Sequence, residues 1–461
     1  MSLCACGKTG DSSKSGEEDD ANVLSGIDAG EQGGSGNGGN GTGSNSGGSG
    51  NGGGGSSALF SSIPEKLKGT TVTFAVWGDE NASEYAKVTK YFTKKTKINV
   101  KYVSYDQEKY PSTIVEQNAA GKGPDIVICN FKFPVIVEAV QPLPSIFNLN
   151  DGFWDKRLTE ALSVKGKNYF VNSYNSPFAN SGQLVFYNKD IFSNNNIKSP
   201  QDYVDAGNWT YETLETCMRQ ANQKGFDGGS VFPQMVWNST GSDLITYNPK
   251  DGKFTSGLSD ASKKSDIIYA LKYSARLFNE GIITQNPLGR FASGNMAIAV
   301  TGNFGKKYNG WFKGMSPSSL GVVNLPSTLN GKKANYSGGT QRAYGIGKNA
   351  KNIEGAYYFL RFFLDLDNYD EAGAKIFLNK NVERFYKETV LKDYKNNPIC
   401  VQYFDMPLSL VGSPWTQTSA GDWMAVSLAG TPEEVENELS KRVNIVEKAA
   451  QKATEKLNGI S

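Results

Sequence analysis

Apolar positions are sparse in the first part of the chain and set in abruptly at Thr71. There Val72-Thr73-Phe74-Ala75-Val76-Trp77 forms a continuous β-prone run, as a parallel strand buried on both faces requires. Between Ser83 and Thr96 the spacing becomes helical, with Tyr85, Val88 and Phe92 on one stripe, and Ile98–Val103 returns to a strand. A second helical stripe carries Tyr110, Ile114, Val115 and Ala119, stops at Gly121-Lys122-Gly123 and leads into a strand at Asp125–Cys129. Strand, helix, strand, helix, strand predicts an α/β fold built on a parallel sheet with right-handed crossovers. In such sheets ligands bind beyond the carboxyl ends of the strands, which points to the loops Trp77–Glu80 and Asn130–Lys132.

Further strand patterns fall at Gln183–Tyr187, Met296–Thr301 and Ala343–Ile346. Helical patterns lie between and after them, at Asp266–Asn279, closed by Gly281, and at Ile353–Leu366. The last helix starts with a capping box, Thr431 as N-cap, Pro432 at the first helical position and Glu434 three residues on. No repeat with the period of a solenoid or propeller is present.

Composition narrows the chemistry. The chain has 461 residues, 38% hydrophobic and 20% charged, with a net charge of +2. That length and balance fit a globular body of two to three domain lengths and give no clustered basic face, so nucleic acid is not an expected partner. No apolar stretch reaches the length that spans a bilayer. Histidine is absent, which removes the commonest general base and every His-ligated metal site, and neither a metal nor a cofactor is expected. Cys129, Cys217 and Cys400 are isolated and read as buried small hydrophobes. Neither the Gly-x-Ser-x-Gly pattern of serine hydrolases nor the phosphate-binding Gly-x4-Gly-Lys-Ser/Thr pattern occurs.

Leu3-Cys4-Ala5-Cys6 resembles the lipobox of bacterial lipoproteins, which makes Cys6 the candidate lipidated residue. From Gly33 to Ser57 only Gly, Ser, Asn and Thr occur. Such a segment has too little apolar surface to fold and reads as a tether with a reach of about 25–30 Å. Together they imply a body held near the outer face of the cytoplasmic membrane, with residues 1–61 as anchor and tether.

Several segments, in order, resemble the extracellular solute-binding proteins of bacterial ABC importers, a family that includes the maltodextrin- and other oligosaccharide-binding proteins. They are Val76–Asp79, Gly123–Val127, Val185–Phe192, Trp209–Leu214, Phe291–Phe304, Gly345–Lys348 leading into Glu354–Phe363, and Gly430–Glu434 before the last helix. The most specific is Tyr187-Asn188-Lys189-Asp190-Ile191-Phe192. The resemblance implies a two-lobed periplasmic-binding-protein-like fold of type II, each lobe a mostly parallel sheet flanked by helices, with several chain crossings as a hinge. It assigns residues 62–176 and 296–341 to the first lobe, and 177–295 and 342–461 to the second. It also implies a monomeric, non-enzymatic receptor that closes on a small polar ligand and presents it to the permease subunits of a membrane transporter.

A sugar needs flat aromatics against its C–H faces and short polar side chains for its hydroxyls. Trp77, Trp237, Trp415 and Trp423 each neighbour small or polar residues, whereas Trp154, Trp209 and Trp311 read as packing residues. The family comparison places Trp77, Asp79 and Glu80 on the rim of the first lobe, Asn130 and Phe131 after its third strand, Asn180 and Ser181 at the first crossing, and Asn303 and Phe304 at the second. Trp237 and Trp423 come from the second lobe, Trp423 matching a late tryptophan that stacks on sugar in relatives. Asn130-Phe131-Lys132 stands where the maltodextrin-binding relatives carry an acidic-basic pair, which argues against maltose. Asp79 and Glu80 side by side leave a polyamine as an alternative ligand. A carbohydrate adhesin or signalling receptor of the same fold differs only in its partner. A glycoside hydrolase would need two facing carboxylates about 5–10 Å apart.

Overall fold

The computed structural model describes residues 56–77, 84–178, 184–284, 287–301, 312, 314–339, 342–411 and 431–460. Its strands in chain order are β1 (Thr71–Val76), β2 (Asn99–Ser104), β3 (Ile126–Ile128), β4 (Val140–Gln141), β5 (Phe170–Val171), β6 (Leu184–Asn188), β7 (Asp227–Ser230), β8 (Ile245–Asn248) and β9 (Lys253–Ser256). They continue with β10 (Met296–Thr301), β11 (Leu320–Asn324), β12 (Thr328–Leu329), β13 (Lys332–Lys333), β14 (Ser337–Gly339), β15 (Tyr344–Gly347) and β16 (Ile399–Val401).

The first described element is a short helix that starts at Ser56, inside the segment expected as tether. Ala58-Leu59-Phe60 supplies enough apolar surface for a short helix, Ser56–Ser61, whose Phe60 ring lies 5.4 Å from Phe362. The first sheet has the order β2-β1-β3-β15-β4, with β5 also paired to β15. β1 runs parallel to β2 and β3, as the alternation of strand and helix required. β15 runs antiparallel to β3, β4 and β5. Helix Ile353–Phe363 packs on β1, and the Phe74 ring meets Phe359 and Phe363 edge-on at 6.0 and 5.8 Å.

Asp125 locks this sheet. Its Oδ2 accepts from the Thr73 amide and hydroxyl, both at 2.7 Å, and its Oδ1 accepts from the amides of Lys351 and Asn352 at 2.7 and 2.8 Å. One buried carboxylate thus joins β1, the start of β3 and the start of helix Ile353–Phe363 through charge-assisted bonds. Gly347 has to be glycine, because a Cβ there would lie 1.9 Å from the Pro124 carbonyl oxygen.

The second sheet has the order β11-β6-β10-β7. It is not mostly parallel: β6 is antiparallel to both β10 and β11, and only β10 and β7 run together. The expected partition of the chain is corrected here. Met296–Thr301, expected in the first lobe, is β10 of the second sheet, and Tyr344–Gly347, expected in the second, is β15 at the heart of the first. The reason is the crossing pattern. β6 enters the second sheet straight after the first sheet's β5, and β15 enters the first sheet after β11, each running against neighbours laid down by the other part of the chain.

The two halves also meet just past the end of β3. Phe133, from the first, packs its ring 5.1 Å from Tyr247 and 6.0 Å from Tyr403. The last helix, Pro432–Asn458, starts with the expected capping box and packs on helix Ala261–Asn279 and on β9. It reaches the first half through Lys456 and Glu138, 2.7 Å apart. Among the described residues no helix is long and apolar enough to cross a membrane.

Candidate functional site

Buried polar groups lie just beyond the carboxyl ends of β1 and β3 in the first sheet and of β7 in the second. On the first sheet, β1 ends into Trp77 and β3 ends into Cys129 and a single 3-10 turn, Asn130–Lys132. Tyr110 pins these two ends together: its hydroxyl donates to the Ala75 carbonyl at 3.1 Å and accepts from the Ile128 amide at 2.9 Å. The Trp77 ring stands edge-on to Tyr110 at 4.5 Å and tilted to Phe131 at 6.0 Å. Asn130 adopts a left-handed backbone, φ 39°, a conformation asparagine tolerates better than most residues. Its amide nitrogen is buried without a hydrogen-bond partner among the described residues.

Lys132 follows, only 5% exposed, with its ammonium 4.4 Å above the Phe131 ring. Burial pulls its pKa down to about 8 against the attraction of Asp405, Glu108 and Asp106. Asp405 opens the short helix Asp405–Ser409 that packs against this turn. Burial pushes the Asp405 carboxyl up to about 6, opposed by the Gln402 amide, which donates at 2.8 Å, and by the attraction of Lys132.

On the second sheet, β7 ends at Ser230, whose hydroxyl is buried and also lacks a partner among the described residues. The helix that follows, Pro233–Ser239, carries Trp237, and the indole nitrogen is unpartnered in the same way. Near its end Asn238 donates to the Ser242 carbonyl at 3.0 Å. Asp243 accepts from the amides of Leu244 and Tyr403 at 2.9 and 3.1 Å, and burial pushes its carboxyl up to about 8.

Of the residues singled out from the sequence, Trp77, Asn130 and Phe131 come together at the first sheet, and Trp237 sits on the helix after β7. Trp77 and Trp237 are enclosed, 3% and 1% exposed, so neither shows an open ring face in this conformation. Asp79, Glu80, Asn180, Ser181, Asn303, Phe304, Trp415, Trp423 and the candidate lipidation residue Cys6 lie outside the described residues. Trp154 and Trp209 are buried packing residues, as read from the sequence, and Cys129, Cys217 and Cys400 are buried and free. Ser230, Asp243 and Asp405 were not legible. The one local hint was the Gly228-Gly229-Ser230 run, which reads as a loop but is a strand.

Each buried polar atom left without a partner costs about 1–3 kcal/mol; Asn130 Nδ2, Ser230 Oγ and Trp237 Nε1 share that state with atoms elsewhere in the interior, among them Asn118 Oδ1, Trp154 Nε1, Thr159 Oγ1, Gln220 Oε1 and Ser274 Oγ, and differ from those in lying at or just after the ends of β3 and β7. An amide NH2, a hydroxyl and an indole N–H are groups that bind hydroxyls or other neutral polar atoms. Among the described residues no cluster of acidic, cysteine or histidine side chains could hold a metal ion.

Residues 87–378 match the model of a family described as bacterial extracellular solute-binding protein. Proteins named as binding proteins in Brucella abortus and Brucella suis are 23% identical over 261 residues, covering 54% of this chain and 59% of theirs, so the match spans less than two thirds of those relatives. The galacto-N-biose/lacto-N-biose I-binding protein of an ABC transporter from Bifidobacterium longum, solved with lacto-N-biose, superposes with a TM-score of 0.57 at 15% identity, over 86% of this chain and 99% of that one. An ABC substrate-binding protein from Listeria monocytogenes in complex with cycloalternan gives 0.57 at 17% identity, over 81% and 98%. An extracellular solute-binding protein from Staphylococcus aureus in complex with maltose gives 0.54 at 18%, over 84% and 98%. At these identities the likeness is one of fold: two lobes, each built on one of the sheets.

Proposed function

The chain belongs to the bacterial extracellular solute-binding proteins, and on that premise we propose that it binds a sugar or short oligosaccharide between its two sheets and delivers it to the permease of an ABC importer. The observation that carries this reading is the set of unspent polar groups, Asn130 Nδ2 on one sheet edge and Ser230 Oγ and Trp237 Nε1 by the other. A polyhydroxylated ligand supplies donors and acceptors in every direction and satisfies all three. Structural neighbours in complex with lacto-N-biose, cycloalternan and maltose support the same ligand class.

Closure of one half against the other on the ligand is part of the same proposal. The role is binding and release without chemistry on the ligand. Lipidation at Cys6 and the glycine-rich tether belong to the same proposal, as does the monomeric state, since a tethered receptor needs only to reach its permease.

The test is thermal melting of the protein against monosaccharides and oligosaccharides, with spermidine and phosphate esters included. A ligand that binds only the folded state raises stability by about 2.7 kcal/mol at a hundredfold excess over its dissociation constant. The expected result is a shift with one carbohydrate class, recovered unchanged by chromatography. A shift with spermidine alone overturns the ligand class, and cleavage of the sugar overturns the receptor reading.

A further inference from the structure

Between Tyr85 and Val100 the sequence holds five lysines, Lys87, Lys90, Lys94, Lys95 and Lys97, and no aspartate or glutamate. The whole chain has a net charge of +2, so with these five set apart the remainder is net −3. The fold gathers the five on one outer surface of the first half. Helix Glu84–Thr96 buries Tyr85, Val88 and Phe92, which turns Lys87, Lys90 and Lys94 outward at helical spacing. Lys95 lies with its ammonium 5.3 Å from the centre of the Tyr91 ring, and Lys97 follows at the exit toward β2. All five are exposed.

Neighbouring lysines are spent on carboxylates: Lys66 meets Glu354 at 2.6 Å and Lys68 meets Glu65 at 2.5 Å. Lys90, Lys94, Lys95 and Lys97 have no ion-pair partner among the described residues. Glu371 touches the same helix, accepting from the Tyr91 hydroxyl at 3.3 Å. Like charges three and four residues apart on a helix repel. The arrangement therefore costs the free protein something that an opposing negative surface relieves.

The same surface borders the place where the glycine-rich segment joins the body. Helix Ser56–Ser61 puts the Phe60 ring 6.3 Å from Tyr91, which lies between Lys90 and Lys94 in sequence, and Tyr91 stacks with Phe362 at 6.0 Å. A tether with a reach of about 25–30 Å and a lipid at Cys6 keeps this face within touching distance of the membrane. The Lys97 carbonyl accepts from the Gly69 amide at 2.8 Å, just before the amino end of β1, whereas Trp77 and Asn130 follow the carboxyl ends of β1 and β3. The length of β1, about 20 Å for six residues, separates the two. We propose that the lysine face docks on an anionic phospholipid surface and holds the body against the membrane beside its tether, with the binding edge left clear. The proposal takes the lipid anchor from the reading above and adds a second point of attachment, the pairing of lipid chain and basic patch that makes anchoring stable.

Cosedimentation with vesicles tests this on the full chain carrying Cys6→Ser, which removes the lipid. One set of vesicles is of equal parts phosphatidylglycerol and phosphatidylcholine, the other of phosphatidylcholine alone. Binding is expected to the anionic vesicles only, at about 0.01 M salt, and is expected to vanish at about 1 M, where the reach of a charge falls from about 30 Å to about 3 Å. Adding Lys90→Gln, Lys94→Gln and Lys95→Gln is expected to weaken it about 100-fold, at about fivefold per lysine, with the melting point unchanged or slightly raised. A control triple, Lys224→Gln, Lys250→Gln and Lys253→Gln, removes exposed lysines that also lack an ion-pair partner among the described residues and is expected to bind as the parent does. Equal binding to the two kinds of vesicle, or equal losses in the two triples, overturns the proposal. Absence of binding to the anionic vesicles overturns it as well and leaves an acidic protein surface as the occupant of this face. No saccharide enters the assay, so none of these results bears on the sugar-binding reading.

Discussion

Replacing Asp405 by asparagine is expected to make the protein more stable at neutral pH and to flatten part of its pH dependence. The Asp405 carboxyl is buried and raised from its ordinary value of 3.8 to about 6. A carboxyl with a raised pKa contributes its stability below the unfolded value and loses it as pH climbs through the folded one. Asp405 is therefore neutral and harmless below about pH 4, and ionised at a cost above about pH 6. Two units at about 1.36 kcal/mol each give about 3 kcal/mol lost across that window. Lys132 does not tilt the curve there: its pKa is depressed to about 8, so it stays charged throughout and its own penalty is constant. Asparagine keeps an acceptor for the Gln402 amide, so the variant sheds the cost without orphaning that donor. Urea unfolding of both proteins at pH 4, 5, 6 and 7 measures this, with equal denaturant slopes as the check that the compared states are the same. The expected difference is near zero at pH 4 and grows to about 3 kcal/mol in favour of Asp405→Asn at pH 7. A difference that is constant with pH, or that favours the native protein more as pH rises, refutes the claim that burial governs this carboxyl.

Ser230→Ala and Trp237→Phe each remove a buried polar atom that has no partner among the described residues; both are expected to leave melting unchanged or slightly raised, while saccharide affinity by calorimetry falls about tenfold. Asp125→Ala strips the acceptor from two side-by-side donors of Thr73 and from the amides of Lys351 and Asn352, and urea unfolding is expected to show a loss of about 3–4 kcal/mol. Cys129, Cys217 and Cys400 are buried, with thiol pKa values pushed upward, so peptide mapping after alkylation of the native protein is expected to find all three unmodified.

The parts of the fold legible in the sequence are those whose burial is periodic. β1 is apolar because both its faces are covered, helix Ile353–Phe363 carries a continuous apolar stripe, and Thr431-Pro432-Glu433-Glu434 states its helix start in four residues. β7 was illegible because its identity comes from neighbours: a Cβ on Gly228 would meet the Ile282 carbonyl at 2.6 Å, and one on Gly229 the Ile298 carbonyl at 2.8 Å. The strand is glycine-rich because it is tightly packed, and glycine is also what a loop contains. Membership of a sheet was equally hidden. β6, β10 and β15 were recognisable as strands, yet nothing in their local pattern says which sheet they join, since each is buried throughout.

The site divides along the same line. Asn130 could be picked out because it follows a strand, but its left-handed turn and its partnerless amide depend on packing that no local spacing encodes. Small polar neighbours suggested an exposed Trp237. Those neighbours, Asn238 and Ser239, are themselves buried and spend their side chains on the carbonyls of Ser242 and Val236. Polarity in the sequence reported hydrogen bonding inside the second half, not contact with solvent.

That distinction bears on how a receptor of this design binds at all. A polar group already bonded within the protein gains little from a ligand, because one bond is exchanged for another. A polar group left buried and unbonded gains the whole bond, and the free protein carries the penalty until the ligand arrives. Asn130, Ser230 and Trp237 are of the second kind, whereas Asn238, Asp125 and Tyr110 are of the first. Removing the first kind should lower stability and affect affinity only through the fold. Removing the second kind should lower affinity with stability preserved or increased. Opposite signs in the two measurements, for Ser230→Ala and Trp237→Phe against Asp125→Ala, are what separate a binding group from a structural one here, and they do so before the ligand's full identity is known.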